Sequence, residues 1–325
     1  MESEFKYCAV IRTLGTAGAK YQQLLDSLNN QSIKPTKIVV YIAEGYKIPK
    51  ETIGWEEYVF VKKGMVRQRA LAYDEVDTEY ILFLDDDLCF PSDTVEKMRD
   101  FLVRENADII APDIFPNAHR SILSQILMTF SGRMYARHKK NDCWGYKVLR
   151  NSGYSYNSKP IRDTYRSQTN AGACFLCSKQ KFLDIHFEEE LWMDEVEYSL
   201  GDDQVMYYKM YLMGLKQLTW YTHHFIHLDA GQNMCPLKKK KIIYSDFRFK
   251  VIFWHRFIFK PEQFLLFRLL DIFCISYFFM LSLMISIFKG ELDIFKVKLK
   301  ALLNGINYLR SSQYHSLPIV RKNLT

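Results

Sequence analysis

Short apolar runs alternate with helical patterns along the first hundred residues of the chain. Runs rich in β-branched and aromatic side chains predict three buried strands, at residues 7–13, 37–43 and 80–84. Apolar side chains at helical spacing predict three helices, at residues 20–28, 65–76 and 93–103. Strands that alternate with helices are typical of an α/β fold with a mostly parallel sheet and helices on both faces.

The third predicted strand runs directly into three consecutive carboxylates. Residues 82–91 read LFLDDDLCFP, so Asp85, Asp86 and Asp87 follow the strand. Open parallel sheets bind ligands at the carboxyl ends of their strands, which is where these side chains fall. Adjacent like charges repel one another, and a fold that fixes them needs a compensating cation. The alternative is a solvated turn without a ligand.

The composition is that of an ordinary folded protein with a basic tail. The chain has 325 residues, of which 48% are hydrophobic and 25% are charged. The net charge is +7, and the segment from Lys238 onward has 16 Lys and Arg against 5 Asp and Glu. The seven cysteines are scattered and odd in number, and the first residues carry no secretory signal pattern. We therefore expect reduced thiols and a catalytic domain in the cytoplasm.

The usual glycine-rich motifs that bind phosphate are absent from the sequence. No GxGxxG follows the first predicted strand, and no GxxxxGK[ST] occurs anywhere in the chain. The charge of a bound phosphate would then be neutralised by other means. A divalent cation held by carboxylates is the natural choice.

Several segments in a fixed order resemble the family 2 glycosyltransferases. They follow the first two predicted strands and read GMVRQR at 64–69, YILFLDDD at 80–87, NAGACF at 170–175 and GDDQV at 201–205. The resemblance spans roughly residues 5–230. It implies a GT-A-type, Rossmann-like mixed sheet, mostly parallel and flanked by helices, that binds a nucleotide sugar.

The resemblance also implies a donor site and a cation site. Asp85 and Asp87 match the DxD motif of the family, so both are expected to hold Mg²⁺ or Mn²⁺ together with the late His227. Thr13, Glu44, Arg69, Asp85 and Asp86 are expected around the nucleotide. Glu44 stands where the family usually has an aspartate after its second strand. Structural roles for Arg69, in a surface ion pair, and for His227 remain open alternatives.

Asp202 and Asp203 match the ED motif of the family, which is expected to supply the general base. Transfer of a sugar requires the acceptor hydroxyl to lose its proton as it attacks the anomeric carbon. A carboxylate on the opposite side of the sugar can take this proton in one step with inversion. We assign this role to Asp203, with Asp202 as the second candidate. The alternative is a pair that only caps a helix at 204–212.

Together these features predict an inverting glycosyltransferase of the hexosyltransferase type. It would move a sugar from a nucleotide-diphosphate donor to a glycan or lipid-linked acceptor in cell-surface polysaccharide synthesis. A UDP-sugar is favoured over a GDP-sugar, and nucleic acid is not an expected partner. Two alternatives stay open: a catalytically silent nucleotide-sugar-binding scaffold, and a nucleotidyltransferase on a similar fold. Asp203 beside a complete DxD disfavours the first, and the missing phosphate loop disfavours the second.

The tail after residue 237 reads as a separate, helical unit that associates with a membrane. We therefore divide the chain into a catalytic domain at 1–237 and a tail at 238–325. The uncharged run at 272–288 has 17 residues, slightly short of the ~20 that a bilayer core requires, and both of its flanks are basic. Residues 291–310 have an amphipathic pattern. An interfacial or re-entrant hairpin on an anionic membrane surface fits better than a span. Packing of the tail on the catalytic domain or on a partner is the alternative.

Overall fold

The computed structural model describes residues 5–114, 126–127, 129–132, 144–157, 160–228 and 235–320. In these residues the chain is built on an eight-stranded sheet. Its strands are β1 Tyr7–Thr13, β2 Lys37–Ala43, β3 Glu56–Val61, β4 Tyr80–Asp85, β6 Ile109–Pro112, β9 Thr164–Ser167, β10 Cys174–Ser178 and β11 Gln217–Trp220. Two short antiparallel pairs accompany it, β5 Leu88–Cys89 with β12 Ile226–His227 and β7 Tyr146–Val148 with β8 Tyr154–Tyr156.

The sheet is mixed and mostly parallel, which confirms the predicted fold class. Its strand order is β3-β2-β1-β4-β10-β6-β11-β9. The parallel pairs are β1 with β2, β1 with β4, β2 with β3, and β6 with β11. β10 is antiparallel to both of its neighbours, and β9 is antiparallel to β11. The three predicted strands are present, and β4 continues to Asp85, one residue beyond its prediction.

Helices cover both faces of the sheet. They are α1 Ala19–Asn29, α2 Thr94–Glu105, α3 Lys179–Leu183, α4 Asp202–Leu212, α5 Pro236–Phe253, α6 Leu265–Phe288, α7 Leu292–Leu309 and α8 Ser312–Ser316. A 3-10 helix spans Phe187–Glu195, and a π-helical segment, Trp254–Phe259, continues α5. α4 begins two residues earlier than the sequence predicts, so the two carboxylates of its first turn belong to the helix itself.

Each face of the sheet carries its own apolar core. On one face, α1 places Leu24 in a buried cluster with Leu82 of β4. On the other face, α4 and α5 place Met206 and Phe253 in a cluster with Phe83 of the same strand. β4 is therefore buried on both sides, and this explains its continuous apolar sequence.

The cysteines of the described part of the chain are free thiols. Cys174 and Cys177 of β10 are both buried, but they belong to the apolar clusters on opposite faces of the sheet. Because the two side chains point away from each other, they serve packing and do not form half of a zinc site.

The predicted helix at 65–76 is not formed, and this correction has a local cause. The segment consists of turns, with only short stretches of helical hydrogen bonding such as Ala70 N to Val66 O at 2.7 Å. The backbone amides of Val66 and Arg67 donate instead to the carboxylate of Asp194, at 3.1 and 2.9 Å. Tyr73 has a φ of 56°, which is incompatible with a continuing helix. The apolar spacing therefore reflects a buried loop.

The first part of the tail packs into the core of the catalytic domain. The expected boundary after residue 237 lies inside α5, and Phe249, Ile252 and Phe253 of this helix belong to the same buried cluster as Phe83. Arg256 of the π-helical segment is also buried, and its guanidinium binds Glu190. Residues 247–259 therefore pack on the catalytic domain, which is the alternative that the sequence left open.

α6 and α7 form a helical hairpin beside α5. α6 has 24 residues, seven more than the uncharged run within it, because it begins at Leu265 and includes Arg268 and Asp271. Within the described residues it is the one helix whose length and apolar character would allow it to cross a membrane, a test that some core helices of soluble proteins also pass. α7 packs along α5, where Gly305 lies directly against Val251.

Candidate active site

The candidate site lies at the carboxyl edge of the sheet, where β1 and β4 end. β10 runs in the opposite direction, so the residues that precede it, 170–173, arrive at the same edge. The backbone amide of Asp85 donates to the carbonyl of Ala173 at 2.8 Å, which fixes this approach. α4 begins at the same edge with Asp202 and Asp203 in its first turn. Segments far apart in the sequence thus meet at one point.

Arg12, near the end of β1, joins two of the acidic segments. Its Nε atom donates to Asp85 Oδ1 at 2.5 Å, and its Nη2 atom donates to Asp85 Oδ2 at 3.3 Å. Its Nη1 atom lies 3.5 Å from Asp202 Oδ2. The sequence prediction missed this residue because a single arginine in a strand carries no motif. The only signal was its position at the strand end, next to Thr13.

Arg69 is buried and binds both carboxylates at the start of α4. Its Nη1 atom lies 3.1 Å from Asp202 Oδ2 and 2.5 Å from Asp203 Oδ1. Its Nη2 atom donates to the carbonyl of Gly172 at 3.0 Å. A Cβ atom at Gly172 would lie 1.8 Å from Asp203 Oδ1, so a glycine is required for Asp203 to approach this closely. The ion pair is internal to the site and is not the surface pair left open by the sequence.

The two carboxylates of α4 differ in their pKa. Burial and the neighbouring charge of Asp203 raise the pKa of Asp202 to about 6. Burial also opposes the ionisation of Asp203, but the charges of Arg69 and Arg12 outweigh it and hold the pKa of Asp203 below its usual value. The side chain of Asp203 is 34% exposed, whereas that of Asp202 is 7% exposed. Asp203 is therefore the ionised carboxylate that a second substrate could reach.

The remaining aspartates of the triplet have separate partners. The hydroxyl of Thr13 donates to Asp86 and accepts from the backbone amide of Gly15 at 2.7 Å. Burial is the largest cause that raises the pKa of Asp86 to about 6, and the adjacent carboxylates add to it. Asp87 Oδ2 lies 3.0 Å from His227 Nε2, because the β5–β12 pair brings residue 227 back to the triplet.

Glu44 lies apart from this cluster of contacts. It is exposed in the turn that follows β2, and its backbone amide donates to the carbonyl of Val61 at 2.7 Å. β2 is the neighbour of β1, so this turn is at the same edge of the sheet as Thr13. The structure thus places all the predicted site residues along one edge, with Glu44 at its periphery.

Asp87 and His227 are the two side chains at this edge of the sheet that could hold a divalent cation. Among the residues described, no group of three His, Cys, Asp or Glu side chains is arranged to hold a metal ion. Asp87 and His227 form an oxygen and nitrogen donor pair of the kind that Mn²⁺ and related cations accept. Asp85 is engaged by Arg12, while the raised pKa of Asp86 reflects burial without a matching positive charge. Further ligands would have to come from the bound donor and water.

Comparisons with known proteins give a family and a group of structural neighbours. The model of the family described as "Glycosyl transferase family 2" matches residues 22–182. The structure "Crystal structure of S. aureus TarS 1-349" has 13% identity and a TM-score of 0.45, with 84% of this chain and 70% of that chain covered. "Crystal structure of S. aureus TarS" has 13% identity and a TM-score of 0.44, with 77% of this chain and 39% of that chain covered. No curated protein sequence matches the chain.

The family match covers much of the segment that forms the candidate site. It includes Arg69, the aspartate triplet at the end of β4, and Gly172 before β10. The mixed, mostly parallel sheet and its helices have the arrangement of the GT-A fold. This segment therefore belongs to glycosyl transferase family 2, and the chain has the GT-A fold of a glycosyltransferase.

Proposed function

We propose that the protein transfers a sugar from a nucleotide-diphosphate donor to an acceptor hydroxyl with inversion at the anomeric carbon. One observation carries this proposal. Arg12 and Arg69 hold Asp85, Asp202 and Asp203 in one network at the carboxyl edge of the sheet. Donor-side and acceptor-side carboxylates are thereby fixed relative to each other, which is what a direct displacement requires.

The donor side is formed by the triplet and its partners. Asp87 and His227 would hold Mg²⁺ or Mn²⁺, and a cation bound there supplies positive charge to the leaving diphosphate. Thr13, Asp86 and Glu44 line the ends of β1, β4 and β2, where the nucleoside of a donor bound in this crevice lies. Asp85 supports this side through Arg12. The donor is a UDP-sugar in preference to a GDP-sugar.

Asp203 is the general base in this proposal. It is partly exposed, and Arg69 keeps it ionised and fixes its orientation through a 2.5 Å contact. It can therefore accept the proton of an acceptor hydroxyl that approaches from solvent. Asp202 is almost fully buried between Arg12 and Arg69, so its role is to hold these guanidinium groups.

The acceptor is a glycan or a lipid-linked sugar in cell-surface polysaccharide synthesis, and the transferred group is a hexosyl group. The exposed apolar side chains of α6 support a place at the membrane, with the catalytic domain on the cytoplasmic side. Transfer at a membrane surface suits an acceptor that is itself anchored in lipid.

The proposal can be tested by separating donor binding from proton transfer. Asp87→Asn removes a charge from the cation site, so we expect weaker Mn²⁺-dependent binding of a UDP-sugar and slower turnover. Asp203→Asn leaves the donor side intact, so we expect near-normal donor binding and a transfer rate lower by about 10²- to 10⁴-fold. Titration calorimetry with a panel of UDP-sugars and GDP-sugars, together with a turnover assay, measures both effects.

Asp100→Asn is the matched control, because Asp100 is exposed on α2 and pairs with its neighbour Arg99. It should leave both measurements unchanged. Near-parental transfer by Asp203→Asn would contradict the assignment of the base. Binding of donor by the parent without any transfer or hydrolysis would instead indicate a nucleotide-sugar-binding scaffold, and release of pyrophosphate from a nucleoside triphosphate would indicate a nucleotidyltransferase.

A further inference from the structure

α6 has one apolar face whose exposed large side chains lie in the first nine and the last nine residues of the helix. The exposed large side chains recur at helical spacing, and together they form what we call the apolar stripe: Leu265, Leu266, Leu269, Ile272, Phe273, Met280, Met284, Ile287 and Phe288. The helix has 24 residues, so the stripe is about 36 Å long. An exposed apolar surface of this extent marks a binding surface for another molecule.

The opposite side of α6 is bound to the rest of the protein by polar contacts. Near its start, Asp271 is fully buried, and its carboxylate binds Arg150 Nη1 at 2.5 Å. Near its end, Lys298 Nζ of α7 donates to the carbonyl of Ser282 at 2.9 Å and to Ser286 Oγ at 2.9 Å. The helix is therefore attached to charged partners at both ends.

The middle of α6 is attached to the catalytic domain through α5. The ring of Phe247 in α5 packs against those of Phe278 and Phe279, with centroids 6.2 and 5.6 Å apart. The next residue of α5, Arg248, is buried, and it donates to the carbonyl of Trp192 at 3.2 Å. Phe247, Ile275 and Phe279 belong to one small buried cluster, so the side chains of α6 pack against α5 at this point.

These attachments decide between a crossing helix and one that lies on the surface. If α6 crossed a bilayer, one of its ends would pass through the hydrocarbon. That end would bring its charged partner into the bilayer, which is Arg150 for the first end and Lys298 for the second. Charged groups at that depth are costly, and here Arg150 is bound to Asp271 and Lys298 to Ser282 and Ser286. A helix that lies flat buries only its apolar stripe, and its charged partners stay above the interface.

Charge at the ends of the stripe favours an anionic lipid surface over a protein partner. Exposed lysines precede the stripe at Lys260, follow it at Lys289 and lie on α7 at Lys296 and Lys300, and Glu291 is an exposed carboxylate beside Lys289. The nearby carboxylate of Asp293 is paired with Lys240 at 2.8 Å, which removes part of the opposing charge. Lysines beside an apolar helix face are typical of helices that bind anionic membranes.

We propose that α6 lies in the plane of an anionic membrane surface, with the apolar stripe in the lipid and both helix ends on the side of the catalytic domain. This inference deepens the membrane association proposed above and gives it a geometry. It does not depend on the identity of the transferred sugar. The active-site edge is then held at a fixed orientation to the membrane, because α6 is joined to the catalytic core through α5.

Vesicle binding of the full chain tests the surface. Phe273 and Met280 are each 53% exposed in the stripe, so Phe273→Glu and Met280→Glu together should leave the fold intact. We expect this variant to bind vesicles of phosphatidylcholine and phosphatidylglycerol at least about tenfold more weakly than the parent. Val103→Glu, at an exposed apolar position of α2, is the control and should bind like the parent. Vesicles of phosphatidylcholine alone should bind the parent more weakly.

The orientation needs a second measurement. Cysteines at Gln263 and Lys289, just outside the two ends of α6, would be introduced one at a time after replacement of Cys143 and Cys235 by serine. Inside-out membrane vesicles from bacteria that express the full chain are then treated with a membrane-impermeant thiol reagent. We expect both positions to react equally without permeabilisation.

Three results would overturn the inference. Reaction of one position only after permeabilisation would show a crossing helix. Equal vesicle binding by the parent and the stripe variant would show that the stripe does not contact lipid. A parent dimer that the stripe variant converts to monomer, without vesicle binding by either, would assign the stripe to a second copy of the chain. Donor binding is measured on the same samples. A chain that binds donor but not lipid would contradict the membrane inference and leave the proposed reaction standing.

Discussion

At the scale of residues, the site is a network of two guanidinium groups and three carboxylates. Arg69 makes the shorter contacts to the ED-motif carboxylates, and Arg12 connects one of them to the end of β4. Removal of either arginine would take away part of the positive charge that balances these carboxylates. The consequences for activity should therefore appear first in the pH dependence, because the protonation of Asp202 and Asp203 depends on these charges.

The first prediction concerns Arg12. In the parent, the transfer rate should rise as the Asp202–Asp203 pair loses its last proton, at about pH 5 to 7. Arg12→Gln removes a charge that lowers both pKa values, so this rise should move to higher pH. Arg12→Lys should restore part of the parental profile. Rate profiles of the three proteins measure the effect.

Arg67→Gln is the control for this experiment, because the Arg67 side chain is exposed two residues before Arg69. Its profile should match that of the parent. An unchanged profile in Arg12→Gln, with a merely lower rate at every pH, would show that Arg12 has only a structural role.

The second prediction concerns Gly172. Gly172→Ala would place a methyl group within 1.8 Å of the present position of Asp203 Oδ1, so the carboxylate must move away from Arg69. We expect a transfer rate lower by about tenfold or more, because a displaced base no longer meets the acceptor. Donor binding should change little. A parental rate in this variant would argue against Asp203 as the base.

At the scale of elements, a buried ion cluster fastens α5 to the catalytic domain. Glu190 of the 3-10 helix is fully buried and accepts from Arg256 Nη2 at 2.8 Å and from Trp192 Nε1 at 2.7 Å. Lys209 of α4 lies 3.0 Å from the same carboxylate. Burial opposes the ionisation of Glu190, but Lys209 and Arg256 hold its pKa below the usual value.

The third prediction follows from this cluster. Glu190→Gln removes the buried carboxylate between Lys209 and Arg256 and leaves them the partly exposed Glu189 as their carboxylate partner, so the free energy of unfolding should fall by about 3 kcal/mol. A carboxyl whose pKa is lowered on folding stabilises the fold above its ordinary pKa, and this contribution is lost as the pH falls through the folded value. The difference between parent and variant should therefore shrink below about pH 4.5.

Denaturant unfolding at neutral and acidic pH measures both parts of this prediction. Glu188→Gln is the control, because Glu188 belongs to the same 3-10 helix and its side chain is 58% exposed. A difference between parent and Glu190→Gln that stays constant from pH 7 to pH 4 would contradict the linkage.

At the scale of the whole molecule, the tail and the catalytic domain share a core. Tyr308 of α7 and Tyr314 of α8 belong to the same buried cluster as Phe253 and Phe83. Arg256 also donates to the carbonyl of Pro318 at 2.8 Å. The end of the described chain is thus part of the folded unit that holds the site.

The fourth prediction is that removal of the tail unfolds the protein and does not simply release it from membranes. A chain that ends at residue 237 lacks the α5 and α8 side chains of this cluster, so it should lose its cooperative thermal transition and its near-ultraviolet circular dichroism. The full-length Phe273→Glu, Met280→Glu variant should keep both signals. A soluble, cooperatively folding truncated chain would show that the core closes without the tail.

The sequence was informative where function depends on strand ends. The triplet after β4, Arg69 and the carboxylates of α4 could be found because the strand order places them on one edge. Arg12 could not, since its role arises from a partner 190 residues away. The predicted helix at 65–76 was wrong because of another contact between distant residues. The backbone amides of Val66 and Arg67 donate to Asp194, which lies more than 120 residues later in the sequence.

The tail illustrates a different limit. Its aromatic side chains alternate with basic ones, a pattern that fits lipid and a protein core equally well. Only the partners of Phe253 and Arg256 reveal that this part faces the core. The apolar stripe of α6 differs from it by exposure and not by composition, and exposure is a property of the assembled fold.

β10 pairs with a strand on each side, and this pairing limits insertions and deletions in the segment that precedes it. β10 is bonded on both sides, and its residues alternate between the two cores, with Phe175 in one and Leu176 in the other. Deletion of one residue between Gly172 and Cys174 would shift the pairing by one position and exchange these faces. Related chains should therefore carry no insertion or deletion just before β10, so the spacing between Gly172 and Phe175 should be constant among them.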